Sequence, residues 1–159
     1  MSTTKDKKTI RFIVPGVPVS QGNHRYDPRR HRLYESTKGH SQWRKAVTLY
    51  AAQARSRLLD GQMMIGPLHG HFEFVFPIPA NYLKKNGEFR AGYPNTKITK
   101  PDLSKLVRAV EDSITDSGLW EDDSQLVAIS AHKMFEFTPA QKKEEGGPII
   151  GVTVVIGEI

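Results

Sequence analysis

At 159 residues the chain is long enough to bury one core and short for two domains. It has no cysteine, which excludes disulfides and cysteine-ligated zinc and makes a reducing compartment such as a cytoplasm the default, and no apolar run approaches membrane-spanning length. A net charge of +6 and a pI near 9.6 point to a polyanionic partner.

The opening MSTTKDKKT is polar, without the apolar centre of a secretory signal, and residues 1–8 read as a flexible N-terminus. Thr9 to Val14 read as a first strand, stopped by Pro15-Gly16 and Pro18. Residues 20–40, SQGNHRYDPRRHRLYESTKGH, combine turn-formers with the most basic block of the chain. Arg25, Arg29, Arg30, Arg32 and Lys38 face only Asp27 and Glu35, with Tyr26 and Tyr34 between them. Arginines grip phosphates in bidentate fashion and tyrosines stack on unpaired bases, so this loop is a candidate DNA contact; a solvated loop is the plainer alternative.

A helix follows, opened by Ser36 or Ser41 and running to about Leu59, with Trp43, Val47, Tyr50, Ala51, Ala54 and Leu58 at helical spacing and Gly61 as its stop. Trp43 and Tyr50 read as core anchors. After a connector from Met63 to Leu68, His71 to Phe76 alternates Phe72, Phe74 and Phe76 with His71, Glu73 and Val75, the pattern of a half-buried strand. His69 and His71 share a strand face as metal ligands sometimes do, but with no cysteine and no third ligand nearby in the sequence an ordinary strand is favoured. Pro77 to Thr99 lacks periodicity and sets Lys84, Lys85, Arg90 and Lys97, with Lys100 just beyond, against Glu88 alone. Such long loops are functional or disordered. This one delivers the chain to Asp102, so it reads as a DNA-contacting flap beside a site, or as a disordered segment that orders on binding.

The stretch from Lys100 to Lys133 organises the rest: a helix, an acidic turn and a strand. Leu103, Leu106, Val107, Val110 and Ile114 form one apolar stripe, with Asp102 as a natural N-cap and Ser117-Gly118 as the stop. Beyond Glu121, Asp122 and Asp123, the residues Val127, Ile129, Ala131, Lys133 and Phe135 share one face of an extended segment; a strand begun at Asp123 would aim Asp123 and Lys133 to the same side. Adjacent carboxylates repel, and Asp102 brought near Asp122 and Asp123 calls for a cation, for which magnesium with carboxylate and water ligands is the usual solution. The plainer alternative is a helix cap and a solvated acidic turn. Ten residues of helix put Asp112 roughly 15 Å from Asp102, so an i,i+4 pair that orients Arg108 is its simpler role. Thr138 to Pro148 reads as a polar loop and Ile149 to Ile156 as a last strand. The expected fold is α+β: one domain over residues 1–159, with two main helices packed on a mixed or antiparallel sheet.

The pattern PD-L-x-x-L-x-(K/R)-x-x-x-D, then a hydrophobic step, DDSQ, and a lysine ten residues after the second aspartate resembles the RusA family of Holliday junction resolvases. The resemblance implies a small, dimeric, magnesium-dependent endonuclease of four-way DNA junctions, in which manganese can substitute, working in a bacterial cytoplasm if phage-encoded. It assigns Asp102, Asp122 and Asp123 to the metal and Asp102, Asp123, Arg108 and Lys133 to catalysis. Arg25, Arg29, Arg30, Arg32, Lys97 and Lys100 are the expected DNA contacts. One departure stands out: the family often has Asp-Leu-Asp-Asn where this chain has Asp102-Leu103-Ser104-Lys105, so a hydroxyl replaces a carboxylate expected at the metal. Three other readings stay open: a DNA-binding module without metal chemistry, a flap or single-strand nuclease on the same fold, and an interaction protein whose basic face is only solvation.

Overall fold

The computed structural model describes residues 6–22, 24–35 and 38–159. Its centre is a four-stranded sheet in the order β1-β6-β4-β5, built from β1 (Thr9–Pro15), β4 (Leu68–Phe76), β5 (Leu126–Phe135) and β6 (Gly151–Glu158). β6 pairs antiparallel with both β1 and β4, whereas β5 runs parallel to β4. Parallel neighbours need a crossover, and the helix α2 (Leu103–Ser117) supplies it. The fold is therefore α+β with a mixed sheet, as expected.

Each buried face follows from periodicity. In β4, Leu68, Gly70, Phe72, Phe74 and Phe76 are buried, while His69, His71 and Glu73 lie half-buried on the other face. α1 (His40–Leu58) buries His40, Trp43, Val47, Ala51 and Ala54, and α2 buries Leu106, Val107, Ala109, Val110, Ser113 and Ile114. Ala109 and Ser113 are buried beyond the expected stripe because α1 packs alongside, where Thr48 Oγ1 donates to the Ser113 carbonyl at 3.3 Å. Fully burying a Leu, Ile or Phe side chain contributes about 1.5–3 kcal/mol, so this shared core dominates stability.

Several boundaries differ from expectation. α1 starts after Gly39, a left-handed N-cap with no side-chain cap; Ser36 lies outside the described residues. Leu58 is exposed and Leu59 buried instead, because the helix has ended and the chain turns back. Tyr50 packs on the core only partly buried, while Trp43 is 4% exposed. The basic segment is a hairpin, not a loop: β2 (His24–Asp27) pairs with β3 (Arg32–Glu35) around a turn in which Asp27 Oδ1 accepts from Arg29 N at 2.9 Å. Thr138 to Pro148 holds a short helix, α3 (Pro139–Glu145), opened by a capping box between Thr138 and Gln141. β6 begins at Gly151, not Ile149. Gly151 has φ 150°, and a Cβ there would overlap the Val14 carbonyl of β1, so only glycine fits.

Candidate active site

The acidic turn after α2 is built tightly. Gly118, at φ 72°, caps the helix, and Leu119 and Trp120 dive into the core, with Trp120 Nε1 donating to Thr115 Oγ1 at 2.7 Å. Gln125 then clamps the turn. Its Oε1 accepts from the Glu121 and Asp122 amides at 2.8 and 3.1 Å, and its Nε2 donates to the Met64 and Gly66 carbonyls at 3.2 and 3.1 Å. Asp122 Oδ1 accepts from Ser124 N at 2.8 Å, closing a single 3-10 turn over Asp123–Gln125. Asp123 thus lies in that turn and not on the strand, which starts at Leu126, so strand parity does not relate it to Lys133.

This geometry crowds carboxylates together. Partial burial raises the Asp123 carboxyl above the ordinary range, helped by a hydrogen bond with Asp122 and the charges of Asp122 and Asp112, while Arg108 opposes the shift. Burial likewise raises Glu111, reinforced by Asp123 and Asp112. Asp122 moves down, held by its hydrogen bonds to Ser124. Arg108, Glu111 and Asp112 stand at i, i+3 and i+4 on α2, so one edge of the helix faces the turn. Among the described residues Asp112 forms no ion pair with Arg108, contrary to the i,i+4 expectation; its charge acts on Asp123 and Glu111, a proximity that helix spacing does not reveal. Nothing in the sequence around Glu111 marks it as part of this cluster.

Asp102 sits at the N-cap position of α2, but its side chain makes no cap hydrogen bond. Instead Asp102 Oδ2 is 4.0 Å from Lys105 Nζ with the carboxylate half exposed, a pair of little energetic weight. The carboxylate is free for another partner. It opens onto a cleft of about 370 Å³ lined by Ser20, Gln21, Gly22, Lys100, Pro101 and Lys105. Gln21 N donates to the Lys105 carbonyl at 3.3 Å, which ties the root of the arginine hairpin to the start of α2. A larger cleft of about 520 Å³ around the Arg44–Asp116 pair includes none of the expected site residues.

Lys133 Nζ donates to the Thr99 and Pro101 carbonyls at 2.7 and 2.8 Å and so braces the turn that presents Asp102. Lys97 is also turned inward. Its Nζ donates to Thr99 Oγ1 and the Lys100 carbonyl and lies 5.0 Å from the Phe76 ring centroid; burial, then Lys133, pushes its pKa down. The flap expected over Pro77 to Thr99 is packed down, with Tyr82 and Phe89 against Phe135 and Leu83 bridged to Phe89. Arg25, Arg29, Arg30 and Arg32 are exposed on the hairpin, as is Tyr26; the Tyr34 side chain lies outside the described residues. Lys100 is exposed beside Asp102.

One further cluster contradicts an expectation. His71 does have neighbours able to complete a ligand set: Glu73 and His132, whose ligand atoms with its own all lie within 4.8 Å of one another. Among the described residues, Asp102, Asp122 and Asp123 do not form such a group. His132 comes from the neighbouring strand, which the sequence around His69 and His71 could not disclose.

Comparison with curated proteins finds no match. The family described as endodeoxyribonuclease RusA matches residues 15–145, most of the chain. Helix α2, the acidic turn and Lys133 all lie within that span, and the chain belongs to the RusA endodeoxyribonuclease family.

Proposed function

We propose that the protein is a magnesium-dependent endodeoxyribonuclease that resolves four-way DNA junctions by paired phosphodiester hydrolysis in recombination and repair. The observation that carries this reading is the Asp123 carboxylate, crowded by Asp122 and Asp112 with Arg108 alongside, in a chain of this family. The donor set is all oxygen, and its mutual repulsion is what a hard divalent cation relieves, so the residues fit magnesium, with manganese as a substitute. Asp122 and Asp123 would hold it, with Glu111 and Asp112 behind them, and Asp102, which forms no ligand group with them in this structure, would have to close onto it. When bound, such an ion lowers the pKa of water for in-line attack and stabilises the leaving oxygen.

The chain's own groups supply the rest. Arg108 would meet the scissile phosphate and balance the charge that builds up on it. Lys133 would act through the Thr99–Pro101 turn, setting the position of Asp102. Arg25, Arg29, Arg30 and Arg32 would grip backbone phosphates from the hairpin, and Lys100 would do so at the cleft beside Asp102. A two-fold homodimer would present two such sites to the near-symmetric strands of a junction. The reaction would take place in the cytoplasm, that of a bacterial host if the chain is phage-encoded.

The test incubates the protein with a labelled synthetic four-way junction and a linear duplex of the same sequence, with and without magnesium, beside Asp123→Asn. Symmetric nicks in the junction alone, requiring magnesium and absent from the variant, are the expected result. Ser104 in place of a carboxylate favours one second reading, a junction-binding protein without cleavage. That reading predicts tight, salt-sensitive binding and no product under any metal. Cuts at flaps or single strands without symmetry would reassign the substrate.

A further inference from the structure

We propose that His71, Glu73 and His132 form a second metal site, for a borderline divalent cation such as zinc, on the face of the sheet turned away from the helices. The parallel pairing of β4 and β5 sets Glu73 directly opposite His132, and His71 lies two residues away on the same face of β4. His132 Nε2 is 3.1 Å and His71 Nε2 3.5 Å from Glu73 Oε1, and the two imidazole centroids are 5.3 Å apart. Zinc bonds of 2.0–2.1 Å at tetrahedral angles place neighbouring ligand atoms about 3.3–3.4 Å apart, between those two distances. The two histidine nitrogens, within 4.8 Å of each other, would have to draw together by at most about 1.5 Å to meet one ion.

The donor chemistry separates this site from the carboxylates. Two imidazole nitrogens and one carboxylate oxygen suit zinc, cobalt or nickel, whereas magnesium prefers oxygen alone. The flanking Phe72 and Phe74 point into the core under the helices, so the cluster and α2 occupy opposite faces of the sheet. The three side chains are 34–42% exposed, which leaves the ion reachable from solvent and a coordination position open to water. His69 stays out of the set: a Cβ at Gly157 would overlap its imidazole, so its ring lies across β6. A bound ion would tie the edge strand β5 to β4 at His132, one residue before the Lys133 that braces the Asp102 turn.

The decisive experiment titrates zinc chloride into the 159-residue chain, free of any polyhistidine tag, by calorimetry in millimolar magnesium. Cobalt(II) chloride is added separately, with its visible absorption as a coordination signature. The expected result is one zinc per chain, weakened more than about 10-fold, the loss that even an outer-shell partner can cause, by His71→Ala, His132→Ala and Glu73→Gln, and unchanged by Asp123→Asn. The cobalt bands should vanish in the same three variants. Glu73→Gln preserves shape, and circular dichroism on each variant separates lost ligation from lost folding. No zinc binding by the unaltered protein would overturn the proposal, as would binding undiminished in both histidine variants or abolished in Asp123→Asn.

Discussion

The Lys133 ammonium lies 2.8 Å from the Pro101 carbonyl oxygen and 2.7 Å from that of Thr99, so a strand residue holds the turn that leads into α2. Hydrogen bonds to a charged donor are worth roughly 1.5–3 kcal/mol each when buried and less at a half-exposed site. Lys133→Met should therefore cost about 2 kcal/mol and speed amide exchange over residues 99–106. Cleavage should fall with it, because Asp102 loses its support. If Lys133 served only as a DNA contact, exchange would stay unchanged while junction binding weakened.

Ser104 and Arg108 are separated by one turn of α2, so a carboxylate at position 104 would stand on the edge that carries Arg108 and Asp112. Ser104→Asp should lower the magnesium concentration for half-maximal cleavage by roughly 5-fold, the factor for about 1 kcal/mol of added attraction. A magnesium titration of junction cleavage measures it. No shift would mean that position 104 lies outside the reach of the ion.

Asp123 and Glu111 bind protons more tightly in the fold than in the unfolded chain, chiefly through partial burial. Such groups contribute stability that is complete below the ordinary carboxylate pKa near 4 and is lost as pH rises through the raised folded values. Asp122 works the other way: its lowered pKa contributes stability above the ordinary value that is lost as pH falls through the folded one. Comparison with Asp123→Asn isolates the first effect. In magnesium-free urea melts, the variant should gain stability relative to the unaltered protein as pH rises from about 4 through the raised folded value, with the gap shrinking when magnesium is added. A pH-independent gap would remove the electrostatic account of the acidic turn.

Gly118 adopts a left-handed conformation, and a Cβ there would come 2.7 Å from Arg55 Nη1. Gly118→Ala should destabilise the fold by about 1–2 kcal/mol, mostly from backbone strain, since the arginine end can move. A urea midpoint shifted without a change in slope is the expected readout.

The arginine hairpin should supply much of the salt dependence of DNA binding. Each arginine that meets a phosphate adds about 0.9 to the slope of log K against log salt, so Arg29→Ala combined with Arg32→Ala should flatten it by up to roughly 2. A slope left unchanged would place the DNA elsewhere.

Periodicity alone determined the α2 stripe, the buried face of β4 and the α+β class, because apolar side chains repeat with the period of the element that buries them. The spacing of Asp102, Arg108 and the DDSQ turn likewise carries the family resemblance that the family match bears out. The TPAQ capping box that opens α3 is also legible in the sequence, though the polar composition around it resembles that of a loop. Other features had no local signal. Among its described side chains the β2–β3 hairpin buries none fully, so its pairing leaves no alternation to read. The nearness of Asp112 and Glu111 to Asp123, and of His132 to Glu73, depends on how α2 and β5 come to rest beside their neighbours. Sequence spacing limits reach along one element; only the packing of elements decides which side chains meet across them.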